Sequence, residues 1–195
     1  MPVEIHELLK LSSSRHDHLC PRQVLGVRMG LAGLEAIGLE APMPHKAALV
    51  FIETDGCFAD GIEVATGASI GHRILKVVDT GKIAAVFANV KTGKTVRLAP
   101  QLDVRQRAPS YAPGIKQKYY AQLKGYQIMP VEELFTIQDV LLDPGIQTVM
   151  SRPGVRVKCS RCGEEIINER QVVVGDEYLC VTCAGAGYYR KKTFH

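Results

Sequence analysis

Long apolar runs are the first thing this chain of 195 residues lacks. No stretch approaches the roughly 18 consecutive apolar residues of a membrane-spanning helix. The opening MPVEIHELLK carries charges in place of the apolar core, about 7–15 residues long, of a secretory signal. The expectation is a cytoplasmic protein with no membrane partner. Internal repeats, heptads and low-complexity tracts are absent too, which excludes a solenoid, a coiled coil and a disordered tail as the main architecture. Charge of one sign is scarce: the net charge is +4, with sixteen basic against fifteen acidic residues in 1–150 and eight against five in 151–195. Only the last stretch, YYRKKTFH, has the local look of an anion-binding patch, so nucleic acid is not the expected partner. Two functional signatures are incomplete. Gly93-Lys94-Thr95 ends like a phosphate loop, but Ala88 stands where its leading glycine belongs, and a hairpin turn explains the stretch better. Cys20-Pro21-Arg22-Gln23 has one thiol where a dithiol motif needs two.

What is present is apolar material enough for a buried core, 46% of residues, in a chain long enough for one ordinary domain and a small module. Val3, Ile5, Leu8, Leu9 and Leu11, behind Pro2, predict a first helix over 2–11. Pro21 suits the first turn of a second, whose stripe of Val24, Leu25, Val27, Leu31 and Leu34 runs up to Gly38. Gly26, Gly30 and Gly33 lie inside it at about 1 kcal/mol each relative to alanine, so close packing against another backbone is expected to compensate. AALVFIET (47–54) reads as a central strand closed by Asp55-Gly56, which delivers Cys57 to a strand end. A helix over 60–68 follows, then strands over 74–99 joined at Thr80-Gly81 and Thr92-Gly93, then helices near 115–125 and 130–136. The sum is an α+β sheet domain over 1–150. Two Pro-Gly pairs in LLDPGIQTVMSRPG place a linker at 151–154 before a small domain over 155–195.

Six cysteines in a chain expected to be cytoplasmic favour metal ligation or catalysis over disulfides. Cys159 and Cys162, then Cys180 and Cys183, repeat a two-residue spacing with 17 residues between the pairs, the spacing of a structural zinc site. Gly163 supplies the backbone freedom that such a knuckle needs. RQVVVGDEYLC reads as a hairpin around Gly175-Asp176, with the second pair opening a closing helix. Two disulfides or unligated thiols are the bland alternative. Four thiolates fill a tetrahedron, so zinc here is structural and leaves no position for a substrate.

The other two cysteines belong to a less self-evident group. His16, His18 and Cys20 alternate, so an extended 15–20 would turn all three to one face. Cys20 precedes Pro21 at a helix N-cap, and Cys57, at the edge where strand ends and helix starts meet, is its natural distant partner. Loop polar residues and a buried thiol are the alternative. The blocks HDHLCPRQVLGVRMG, ETDGCFADGIEVATGASIGH and DTGKIAAVFANVKTGK resemble, in that order, the three signature blocks of the E-subunit family of formylmethanofuran dehydrogenase. The resemblance is strong over about 12–100, fades by about 140, and extends to the paired cysteines that some members carry. It implies a thioredoxin-like core of mixed sheet and flanking helices, a metal-binding active site at the first block and a treble-clef zinc finger at the end. Matched residue by residue, His16, His18 and Cys20 fall in the first block and Cys57 and Asp60 in the second, with Thr66, Gly67 and Gly71 in its glycine turn. Arg15, Asp17, Arg22, Ala68 and His72 depart from the family's wording. Ala68 removes a usual cysteine, Arg22 offers a grip for an anionic group, and His72 is either an added ligand or an exposed turn residue.

Two functions follow from this. One is a metal-binding protein with structural zinc on Cys159, Cys162, Cys180 and Cys183 and a second zinc or other transition metal on His16, His18, Cys20 and Cys57. The other is an accessory component of a molybdenum or tungsten oxidoreductase whose finger docks a partner protein. A homodimer is expected, because VLGVRMGLAGLEAIG can serve core or interface.

Overall fold

A computed structural model of the chain describes residues 4–16, 18–150, 152–190 and 192. Pro2 and Val3 of the expected first helix, Asp17, Ser151 of the expected linker and Lys191 of the basic tail lie outside the described residues. The chain divides into two compact units, Met1–Ile146 and Gln147–His195.

The first unit opens with two helices, α1 (Ile5–Ser13) and α2 (Pro21–Ala36), then strand β1 (Ala48–Ile52) and helix α3 (Cys57–Thr66). Strands β2 (Leu75–Val77), β3 (Ala85–Asn89) and β4 (Thr95–Pro100) follow, then a short helix α4 (Val104–Arg107) with a 3₁₀ turn at Ala108–Tyr111. Helices α5 (Lys118–Ile128) and α6 (Val131–Leu134) and strand β5 (Phe135–Asp139) complete it. The sheet order is β2-β1-β3-β4-β5, with β1 parallel to β2 and every other neighbour antiparallel, so the sheet is mixed and helix-flanked as expected. Val50, Phe87 and Val96 stand side by side across three strands, and Phe87 fills the space over Gly33 of α2. That contact marks the core. Val24, Leu25, Val27 and Leu34 of the expected α2 stripe are buried, as is Met29, and Leu31 is half-buried, so most of the stripe is spent inside the domain.

Three local expectations change. Helix α3 starts at Cys57, not at Asp60, because Gly56 takes a φ of 80° and turns the chain directly into the helix. Thr80-Gly81 does not close a hairpin, since β1 lies between β2 and β3; Thr92-Gly93 does, between β3 and β4. The residues expected as a helix over 130–136 form one helical turn and then β5. Pro130, Glu132 and Glu133 are sound helix-start signals, but Phe135–Asp139 gains a full antiparallel ladder with β4, a non-local gain that the local signals do not register.

Across the sheet, Glu53 just past β1 accepts hydrogen bonds from Arg97 of β4 at 2.6 and 2.8 Å and from Thr80 Oγ1 at 3.2 Å. These bonds, led by Arg97, hold the Glu53 carboxyl below its ordinary value of 4.5. A carboxyl depressed in the fold contributes stability that is whole above the unfolded value and is lost as the pH falls through the folded one. Replacing it by Glu53→Gln is expected to cost about 1–3 kcal/mol at pH 7. In urea titrations the gap from the unsubstituted chain should narrow as the pH falls below about 4.5; a gap independent of pH would contradict the assignment.

The second unit begins at the foot of α7 (Ile146–Met150) and holds two hairpins, β6 (Arg156–Lys158) with β7 (Glu165–Ile167) and β8 (Val172–Val174) with β9 (Glu177–Leu179), then a helical turn at Thr182–Ala186. Gly175 and Asp176 join β8 to β9, as the sequence implies.

Candidate functional site

Cys20 is the N-cap of α2, with extended backbone, and is 8% exposed. Its backbone N–H donates to Gln23 Oε1 at 2.7 Å, and Gln23 Nε2 in turn donates to the carbonyl of Ser12 at 3.0 Å. Gln23 is fully buried, so this bridge ties the start of α2 to the end of α1 and fixes Cys20 in place. The signal was legible: a glutamine three residues after an N-cap is capping-box spacing. Cys57 is the first residue of α3. The two helices meet backbone to backbone, since a Cβ on Gly26 would lie 2.3 Å from the Phe58 carbonyl oxygen and one on Gly61 would lie 2.5 Å from that of Gln23. This approach sets the two helix starts together. The Cys57 thiol lies beside that of Cys20, and burial first, then the neighbouring Cys20 thiol and its charge, push its pKa up.

Both thiols line a cavity of about 570 Å³ together with His18, Arg22, Lys118 and Tyr119. Tyr119 comes from α5 and donates to the Leu19 carbonyl at 3.3 Å. Arg28 of α2 holds that helix in place by donating to the carbonyls of Tyr126, Gln127 and Met129 at its C-terminal end, at 2.9, 2.7 and 2.7 Å. Neither Arg28 nor Tyr119 could be assigned to the site from spacing, because each acts across nearly a hundred residues of chain.

His16 does not join this cavity wall. Backbone bonds from Arg15 to Ser12 and from His16 to Ser13 extend a turn beyond α1, so the stretch is not extended and the alternation does not put His16 on the face of Cys20. Instead His16 Nε2 lies 2.5 Å from Asp60 Oδ2, and Arg15 pairs with Glu63. Asp60, matched to the second block, thus serves as the partner of His16. His72 is exposed and sets its ring edge-on to His45.

In the second unit, Cys159, Cys162, Cys180 and Cys183 bring their sulfurs within 4.8 Å of one another. Among the described residues this is the single group of three or more donors so gathered. Cys162 Sγ and Cys180 Sγ are 3.9 Å apart, close to the edge of about 3.8 Å that a tetrahedron of 2.3 Å metal–sulfur bonds requires. Backbone N–H groups of Cys180 and Cys183 point at the sulfurs of Cys159 and Cys180, at 3.3 and 3.4 Å. Gly163 adopts a φ of 76°, as a knuckle glycine should. Hydrogen bonds from the Cys162 and Cys180 amides lower the Cys159 thiol to about 6, while its bond to Cys180 raises Cys183 to about 12. The donor set fits a thiophilic ion, whose charge would offset the mutual repulsion of four thiolates.

Fold and site together define an α+β protein with a thiol pair in a cavity wall and a separate four-cysteine cluster able to hold a metal ion. The chain belongs to the FmdE family, described as "FmdE, Molybdenum formylmethanofuran dehydrogenase operon", whose model matches residues 15–139. Over 206 aligned residues it is 25% identical to a "Probable S-adenosyl-L-methionine-binding protein" of Archaeoglobus fulgidus, covering 95% of this chain and 54% of the relative. The chain therefore spans about half the length of that curated relative. Its fold is similar, with a TM-score of 0.61, 18% identity and 96% coverage of both chains, to the crystal structure of a tungsten formylmethanofuran dehydrogenase FmdE-like protein from Syntrophus aciditrophicus. No helix among the described residues is long and apolar enough to cross a membrane.

Proposed function

We propose that this FmdE-family chain is a metal-binding protein with two centres of different kinds. Structural zinc sits on Cys159, Cys162, Cys180 and Cys183, in a finger read as a treble clef from its order of knuckle, hairpin and helical turn. The second centre, in the core read as thioredoxin-like, takes a zinc or other transition ion on Cys20 and Cys57, with His18, which lines the same cavity without being gathered to both thiols, closing in as the third ligand. His16, turned to Asp60, supports the wall rather than the ion. The observation that carries this reading is that Cys20 and Cys57, neighbours at two helix starts, line one cavity wide enough to admit a small molecule. Three protein ligands leave a position for water or a ligand, and an ion there would supply Lewis acidity.

Elemental analysis of the purified full chain tests the assignment. About two metal ions per chain are expected, falling to about one in Cys57→Ser; a Cys57→Ser chain that keeps its full metal content would overturn the second centre. An accessory role beside a molybdenum or tungsten oxidoreductase is the second reading, favoured by the operon in the family's description. It expects a larger oxidoreductase to copurify with the tagged chain. The proposed homodimer must use a surface other than the buried stripe of α2, and light scattering of the full chain checks it.

A further inference from the structure

The cavity at Cys20 and Cys57 has a neighbour. A second cavity, of about 630 Å³, lies beside it, and Arg22, Leu25, Ile83 and Arg105 line both. The two thus adjoin along one shared wall, contributed by the start of α2, the loop before β3 and α4. Leu25 is buried and Ile83 half-buried, so part of this wall is apolar. The charged groups lining the two cavities are almost all cationic. Lys118 faces the thiol chamber and Lys82 and Arg97 the other, whereas Asp55 is the one carboxylate among the described lining residues. Arg97 is already spent on Glu53. Arg22 and Arg105 take part in none of the ion pairs among the described residues, although other arginines of this unit, Arg15, Arg97 and Arg107, are each matched to a carboxylate.

Arg22 and Arg105, both exposed, put two guanidinium groups without an ion-pair partner among the described residues on one partly apolar wall, and the paired oxygens of an oxyanion suit the planar donor fork of each. A point cation such as Lys118 adds field without geometry. We infer that the two chambers form one binding cleft for a small organic oxyanion, a carboxylate or phosphate, held between Arg22 and Arg105 so that the rest of the molecule reaches Cys20 and Cys57. This rests on reading the thiol pair as the centre of the site, and it adds the chemical class of what that centre receives.

The test uses the full chain after chelator treatment, with iodoacetate as the anionic probe and iodoacetamide as its neutral twin. In both reactions the thiolate sulfur displaces iodide, so only the charge of the reagent differs. Rates are read at the Cys20 and Cys57 peptides by mass spectrometry. A cleft of one sign concentrates counter-ions, so the iodoacetate-to-iodoacetamide ratio should exceed that of the same cysteines in the denatured chain by about tenfold. Salt at about 1 M should erase the excess. The double change Arg22→Gln, Arg105→Gln should return the ratio to the denatured value while Lys91→Gln, on the β3–β4 turn, leaves it high. Inorganic phosphate should slow iodoacetate more than iodoacetamide in the unsubstituted chain. An equal ratio in native and denatured chains, or a high ratio that survives loss of both arginines, overturns the inference. Should the double variant not fold, the salt and phosphate responses of the unsubstituted chain decide the matter alone. Metal content before chelation is read on the same preparation: one ion per chain with a high ratio removes the second metal centre and keeps the cleft, and two ions with a flat ratio do the reverse.

Discussion

Chelating the metal from the full chain should unfold Gln147–His195 and leave Met1–Ile146 folded. Among the described residues only Cys159, Ile166 and Leu179 form the buried cluster of the second unit, with Val157, Ala184 and the other three cysteines packed around them. Burying an isoleucine or a leucine contributes about 1.5–3 kcal/mol each, too little to order two hairpins and their turns. A structural zinc contributes about 10–16 kcal/mol at neutral pH, so an ion held by the four sulfurs would carry the unit. The first unit has no such dependence, because its core runs through the full sheet and α2. Hydrogen exchange resolved by peptide should lose protection across 156–186 on addition of chelator and keep it across α2 and β1. Cys159→Ser should reproduce the loss with metal present, since it takes away a ligand that is, with Leu179, the most buried member of the cluster. Retained protection in 156–186 after chelation would sink the structural-zinc assignment.

The second large effect is expected at the crossing of α2 and α3. Valine at Gly26 or at Gly61 must place a Cβ 2.3 Å from the Phe58 oxygen, or 2.5 Å from the Gln23 oxygen and 2.7 Å from the Val27 nitrogen. These neighbours are backbone atoms of regular helices and cannot swing aside as a side chain would, so the helices must separate. Each substitution should cost at least about 3 kcal/mol, the upper end for overpacking, in urea denaturation. Separation should also part the helix starts, so Cys20 and Cys57 in the variants should form a disulfide more slowly under a mild oxidant than in the unsubstituted chain. Gly71→Ala is the contrast, because nothing lies within 4 Å of the Cβ it adds; it should stay within about 0.5 kcal/mol. Wild-type stability in both valine variants would show that the crossing is looser than the structure has it.

The glycines illustrate what could be read in advance. Three of them inside a helix pattern are a cost that demands a reason, and the expected reason, backbone approach, is what Gly26 meets at α3. The identity of the partner helix was not readable, because Gly61 lies in a different segment and nothing local ties it to Gly26. Cys57 shows the same limit in reverse. Its pairing with Cys20 was expected, yet from a strand end rather than a helix start, since the turn at Gly56 depends on one backbone angle. His16 was misplaced because alternation is evidence of a common face only in an extended chain, and two backbone bonds past α1 suffice to curl the stretch toward Asp60.

By itself the sequence determined the four-cysteine cluster, the start of α2 at Cys20-Pro21, the knuckle glycine and the α+β class, all of them written into spacing or chain chemistry within a few residues. Tertiary structure alone decided that β5 joins the sheet, that Arg28 braces the site, and that Arg22 and Arg105 share a wall beside the two thiols. Cysteines two residues apart are gathered by chain connectivity whatever else the fold does. Cys20 and Cys57 are gathered only because α2 and α3 pack at backbone distance, and the energy that brings them together belongs to the core.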